Sequence, residues 1–212
     1  MVECQIRCCK VLDPKVLDTI ESMPREEFAP ADVRSIAYME GHLPLPCGQE
    51  MLSPLQEATL MQAIELTGEE RVLEIGAGTG FLTAMLAMHA REVVSLELHA
   101  ELAELAARNL ANHGVTNARV VQANAMQGDA LGDAAFKEPF DVIVIGAAVR
   151  EIPAHLTARL ARTGRIAAFV GKNPVVSLEL HERIGNIARR TAIMETLLQE
   201  IEGVPASREF VF

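Results

Sequence analysis

The chain has 212 residues, 29 acidic against 19 basic, for a formal net charge of −10 at pH 7. An acidic surface repels phosphate backbones, which argues against a nucleic-acid partner, and no run of about 18 apolar residues is present to span a membrane. Half of the residues are apolar, with seven Phe, one Tyr and no Trp, so the core of a single domain must be aliphatic.

The opening "MVECQIRCCK" has no apolar leader, and the chain reads as soluble and cytoplasmic. Cys4, Cys8, Cys9 and Cys47 have neither paired spacing nor a neighbouring His, so they read as free thiols rather than a metal site. Asp13 and Pro14 are the N-cap and first-turn pair of a helix whose apolar face is Val16, Leu17 and Ile20. The Pro- and Gly-rich residues 23–48 predict short turns and a covering loop. Ser53-Pro54 then opens a helix through "SPLQEATLMQAIEL", with Gln56 three residues after Ser53, nearly a capping box.

From residue 71 strands and helices alternate at short spacing. "RVLEIG", "EVVSLE", "ARVVQA", "FDVIVIG" and "GRIAAFVG" read as strands. "FLTAMLAMHA", "AELAELAARNLANHG" (stopped by Gly114) and "IPAHLTARLA" read as helices. This order predicts an α/β fold, a doubly wound and mostly parallel sheet covered on both faces. The tail, "PVVSLELHERIG" and "RRTAIMETLLQEI", reads as two antiparallel strands joined near Gly185, with "REFVF" as a last edge piece. One domain results: residues 1–52 as helices and covering loop, 53–172 as the cofactor-binding βα core, and 173–212 as the antiparallel part.

The most informative stretch is "VLEIGAGTGF". A strand runs into Gly76-Ala77-Gly78-Thr79-Gly80 and a helix follows at once. Glycines there allow a tight turn and close approach of a ligand. A dinucleotide fingerprint needs its third glycine at position 81, which is Phe81, so the pattern is G-x-G-x-G instead of G-x-G-x-x-G. With Glu74 before it, this form resembles the first motif of class I methyltransferases that use S-adenosylmethionine. Glu97, 17 residues after Gly80 and next to Leu98, closes the second strand, where a carboxylate can accept from both ribose hydroxyls. Asn124, with Ala125, ends the third strand. Its amide oxygen can accept from an adenine amino group, and it is equally a turn-forming residue.

Several segments together resemble the protein-L-isoaspartate O-methyltransferase family. They are "VLDPKVLDTIESMPREEFAP", "IAYMEGHLPLPCGQEMLSP", "EIGAGTGFLTAMLA", "FDVIVIGAAVREIP" and "LARTGRIAAFVG", which cover roughly residues 5–172 in order. The resemblance implies S-adenosylmethionine as cofactor and, as partner, a protein or peptide bearing isoaspartyl residues. Gly76, Ala77, Gly78 and Gly80 would pack on the cofactor. Glu74 would approach its methionine ammonium, Glu97 and Leu98 its ribose, and Asn124 and Ala125 its adenine. Met51 and Leu52 would border it, and Ser53 would face the acceptor carboxylate.

The sequence departs from the family where the acceptor binds. The family's Gly-Gln-Thr-Ile-Ser becomes Gly48-Gln49-Glu50-Met51-Leu52-Ser53, one residue longer, with Met51 in place of Thr if Ser53 is matched to Ser. Gly146 stands where the family usually has Thr. The reaction itself needs no triad: a carboxylate is ionised at pH 7, and charge disappears as the methyl moves, so alignment and exclusion of water are what help. Two alternatives are a methyltransferase of this fold with another acceptor and a cofactor-binding module without catalysis.

Overall fold

The computed structural model describes residues 1–128, 136, 138–184 and 187–204. Helices α1 (Pro14–Ser22) and α2 (Arg25–Phe28) lead to a two-stranded ribbon, β1 (Leu43–Pro44) against β2 (Glu50–Met51). Asp13 caps α1 as expected, its carboxylate accepting from the Lys15 amide at 2.8 Å. Helix α3 (Pro54–Ile64) then precedes the alternating core: β3 (Arg71–Ile75), α4 (Phe81–His89), β4 (Glu92–Glu97), α5 (Ala100–Asn112) and β5 (Ala118–Gln122). The chain continues with β6 (Phe140–Val149), α6 (Ala154–Thr157), β7 (Leu160–Lys172), β8 (Val175–Ile184) and β9 (Ile187–Thr196).

The sheet order is β5-β4-β3-β6-β7-β8-β9; β5 through β7 are parallel, and β8 and β9 are antiparallel to their neighbours. Alternation along the strands divides the core. Val72, Val93, Val142, Val144 and Phe169 face α1, α3, α4 and α5, through Leu17, Leu60, Ile64, Met85, Leu86 and Leu102. Leu73, Ile75, Val94, Leu96, Ile143 and Ile145 face the opposite side, against Met126, Phe136, Phe140 and Leu156.

Two elements differ from the sequence reading. "IPAHLTARLA" is helical only over Ala154–Thr157, because the Phe140 amide takes the Arg159 carbonyl at 2.9 Å and draws the chain into β7. Sheet pairing overrides the helical pattern there. Strand β6 also runs past Gly146 to Val149, with a break in its register against β7 between Ile145 and Ala148. The expected antiparallel pair is β8 and β9, Leu178 opposite Met194 and Ile184 opposite Ile187. Its turn at Gly185 and the "REFVF" edge piece lie outside the described residues. No helix among the described residues is long and apolar enough to cross a membrane.

Candidate active site

The glycine loop stands at the carboxyl end of β3, in the middle of the parallel sheet. Gly76, Gly78 and Gly80 have φ of 93°, 54° and 82°, which L side chains rarely adopt. They differ in surroundings. A Cβ on Gly80 would stand 3.1 Å from the Ala106 carbonyl, so this glycine lets α5 close on the loop. A Cβ on Gly76 would meet nothing within 4 Å; its backbone faces open space. Asn109 braces the loop from α5, its amide donating to the Thr79 carbonyl at 2.8 Å.

Gly76 lies between two small cavities. One, about 70 Å³, is bounded by Gly76, Leu96, Glu97, Leu98, His99, Asn124, Ala125 and Met126. The other, about 40 Å³, lies between the glycine loop and Leu45, Glu50, Met51, Leu52 and Glu57, with Ala77, Gly78 and Gly146 on its walls. Residue Gly146 sits in the register break of β6, where a Cβ would be 3.4 Å from the Ile75 carbonyl and 3.5 Å from that of Gly76. A Cβ there would make ordinary contact with the loop backbone.

Glu97 is buried, and each of its carboxylate oxygens accepts one amide: Gly78 at 2.9 Å and His99 at 3.0 Å. It thus ties the tip of β4 to the glycine loop and keeps an accepting position on each oxygen. Asn124 is engaged twice, its oxygen accepting from the Met126 amide at 3.0 Å and its nitrogen donating to the Gly203 carbonyl at 2.9 Å.

Glu74 lies elsewhere. Strand alternation turns it beneath α4, fully buried, where Thr83 donates to its Oε2 at 2.6 Å and Ser95 stands at the same level on β4. Its other oxygen carries no hydrogen bond. Burial pushes its pKa up to about 7 against the pull of the hydroxyls. This carboxyl is no part of either cavity wall; it joins β3 to α4 behind the loop.

Ser53 completes a full capping box: its hydroxyl accepts from the Gln56 amide at 3.2 Å, and the Gln56 side-chain oxygen accepts from the Ser53 amide at 2.8 Å. Its side chain is buried. Gln56 also donates to the Thr196 hydroxyl at 2.8 Å, joining α3 to the end of β9. Met51 reaches the loop from the other side, its sulfur 3.9 Å from the Thr79 hydroxyl.

Two features had no signal in the sequence pattern. Arg25 and Glu57 form a buried ion pair behind Leu52. Burial pushes Glu57 up to about 7 even with Arg25 beside it, and the charge of Glu74 adds to the rise. The second is a strap, residues 199–203, laid across the cavity of Glu97. It is held by paired backbone bonds to Ala148 at 2.9 and 2.8 Å. Gln49 donates to Glu202 at 2.9 Å, Gln199 to the Gly48 carbonyl at 3.0 Å, and His99 stands 3.3 Å from Glu202. A wider groove, about 540 Å³, begins on the far side of Ile201 between Met126 and Arg150.

A G-x-G-x-G turn at the end of the first core strand, a carboxylate closing the second and a cavity at their junction is a nucleoside-site arrangement. Comparison with known proteins decides which. The family model described as protein-L-isoaspartate(D-aspartate) O-methyltransferase matches residues 1–202. The chain belongs to this family of S-adenosylmethionine-dependent methyltransferases. A protein-L-isoaspartate O-methyltransferase of Koribacter versatilis is 36% identical over 193 residues, 91% of this chain and 85% of that protein. One from Rhodopseudomonas palustris is 40% identical over 171 residues, 81% of this chain and 68% of that protein. Among solved structures, a Plasmodium falciparum protein described as a putative member, in complex with S-adenosyl-L-homocysteine, shares the fold: TM-score 0.76, 19% identity, 92% of this chain and 93% of that one.

Proposed function

We propose that the chain transfers a methyl group from S-adenosylmethionine to the carboxylate of isoaspartyl residues in a protein or peptide. The observation that carries this reading is the junction at Gly76. Open backbone there separates a chamber edged by Glu97 and Asn124 from one edged by Met51 and Leu52. The donor set fits the cofactor: the accepting positions left on Glu97 suit ribose hydroxyls, and Ala125 and Leu98 supply apolar walls. The space supports the same fit only with the strap lifted. About 70 Å³ is well short of the roughly 300 Å³ at which ligand pockets begin. Ile201 divides that chamber from the 540 Å³ groove, so displacing the strap joins the two.

When bound, S-adenosylmethionine supplies a methyl group on a sulfonium, reactive toward an oxyanion. The chain's own residues then have three tasks. Glu97 and the glycine loop orient the nucleoside half. Met51 and Leu52, both buried, keep water from the reacting oxygen. The backbone of Gln49–Ser53 holds the acceptor in line. No proton is moved, since the acceptor carboxylate is ionised at pH 7. In this reading Glu74 serves structure.

One observation favours a second reading, a different acceptor on the same fold. The Ser53 hydroxyl accepts from the Gln56 amide as a helix cap and keeps only its own proton to offer an acceptor, and Met51 adds no second hydroxyl. The test is methyl transfer from labelled S-adenosylmethionine to two peptides differing only in an isoaspartyl or a normal aspartyl residue. Base-labile label on the isoaspartyl peptide alone is expected. Label on neither, from protein that binds S-adenosylhomocysteine, would overturn the acceptor and leave the cofactor site.

A further inference from the structure

Arg25 belongs to the four-residue helix α2, remote in sequence from the glycine loop, yet its guanidinium reaches three elements at once. Its Nε donates to the Ala37 carbonyl at 2.8 Å, one terminal nitrogen donates to the Leu52 carbonyl at 2.5 Å, and the other pairs with Glu57 on α3. The same group lies over the ring of Phe81, 4.9 Å from its centroid, and Phe81 is the first residue after the glycine loop. Arg25 is 1% exposed and Glu57 2%.

A buried ion pair is a poor source of stability, because desolvation offsets most of the attraction; apolar residues of similar volume often do as well or better. What this pair does that an apolar pair cannot is donate to the Leu52 carbonyl. Leu52 joins β2 to the Ser53 cap, and it is itself buried, so without Arg25 this carbonyl would face an apolar interior with no donor. Rotation of the Leu52–Ser53 peptide relieves that cost. That rotation carries Met51 away from Thr79 and pulls on the capping box, two of the contacts that shape the 49–53 segment.

We propose that Arg25, anchored by Glu57, is the positioning residue for the Gln49–Ser53 segment, setting its backbone against the glycine loop through the Leu52 carbonyl. The inference rests on the acceptor role proposed above for that segment.

The test uses the full-length chain in three variants. Arg25→Lys keeps the charge, but its three donors sit on one nitrogen and cannot reach acceptors that Arg25 meets with three separate nitrogens. Glu57→Gln keeps an acceptor for Arg25 without the charge. The double variant Arg25→Met/Glu57→Leu replaces the pair by apolar residues of similar volume. In the double variant and in Arg25→Lys, kcat/KM for the isoaspartyl peptide is expected to fall at least about tenfold, as small misplacements near reacting atoms do. The dissociation constant for S-adenosylhomocysteine stays within about threefold, so the loss falls on the acceptor side. Glu57→Gln loses less than Arg25→Lys, a partial rescue that a merely charged role would not give. Amide exchange over 49–53 speeds up at least about tenfold in the double variant while α4 and β3 keep their protection. Wild-type exchange over 49–53 in a folded double variant overturns the proposal, and so does wild-type kcat/KM. Should the double variant not fold, Arg25→Lys decides by the same two readings. If the wild-type chain methylates neither peptide, the acceptor reading fails separately and the exchange result alone judges Arg25.

Discussion

Replacing Glu74 by Gln is expected to stabilise the protein at alkaline pH and to flatten its pH dependence. Glu74 holds its proton to about pH 7 in the folded chain, where an ordinary glutamate titrates near 4.5, and burial is the main cause. Between those values the native state keeps a proton that the unfolded chain releases. Stability therefore falls as pH rises across that interval and levels off above it. At about 1.36 kcal/mol per pH unit, the loss reaches about 3 kcal/mol by pH 8. The Gln amide keeps an oxygen to accept from Thr83, and its nitrogen replaces the carboxylate oxygen that has no partner. Urea unfolding of both proteins at pH 5 and pH 8 makes the comparison. Glu74→Gln is expected to be about 1–3 kcal/mol more stable at pH 8, with a smaller gap at pH 5. A gap of equal size at the two pH values, or a variant weaker at pH 8, would refute the reasoning. Some slope remains in the variant, since Glu57 titrates near 7 for the same reason.

Glu97→Ala is expected to weaken S-adenosylhomocysteine binding by about 1–3 kcal/mol, measured by titration calorimetry, because it removes a charged acceptor and frees the Gly78 amide. Ser53→Ala is expected to cost about 1 kcal/mol in urea unfolding, the worth of a helix cap, and to leave S-adenosylhomocysteine affinity as it was; a large loss of affinity would give the hydroxyl a second task. Gly80→Ala is expected to destabilise by about 1–3 kcal/mol, with a lowered melting temperature, since the new methyl meets the Ala106 carbonyl at 3.1 Å in a backbone of φ 82°.

The core of the fold was legible because its signals are local. Apolar runs such as "VLEI" and "DVIVI" are buried on both faces of a parallel sheet, and three closely spaced glycines mark a turn that needs positive φ. The placement of Glu97 and Asn124 beside one cavity was legible because they lie at strand ends, and strand ends border the crevice in any sheet of this kind. The surroundings of Glu74 are less legible: it precedes the loop in sequence, but the two-residue period of β3 turns it under α4. Short apolar stretches fail differently. "IPAHLTARLA" carries a helical pattern that the long strand β6 overrides through the Arg159 carbonyl. Arg25, the Gln56–Thr196 contact and residues 199–203 left no mark because their partners lie far away in sequence. The Arg25–Glu57 and Gln56–Thr196 contacts span 32 and 140 residues, and no local period reports such distances.

The strap over the Glu97 chamber has a kinetic consequence. Two of its hydrogen bonds end on Gly48 and Gln49, just before the ribbon strand that carries Met51, so the strap over one chamber is tied to the segment that leads into the wall of the other. Lifting it breaks these bonds together with the paired backbone bonds to Ala148. Entry and departure of any nucleoside ligand then constitute a step with its own barrier, distinct from chemistry at the reacting oxygen. Turnover governed by that step would depend on solvent viscosity and hardly at all on how reactive the acceptor is.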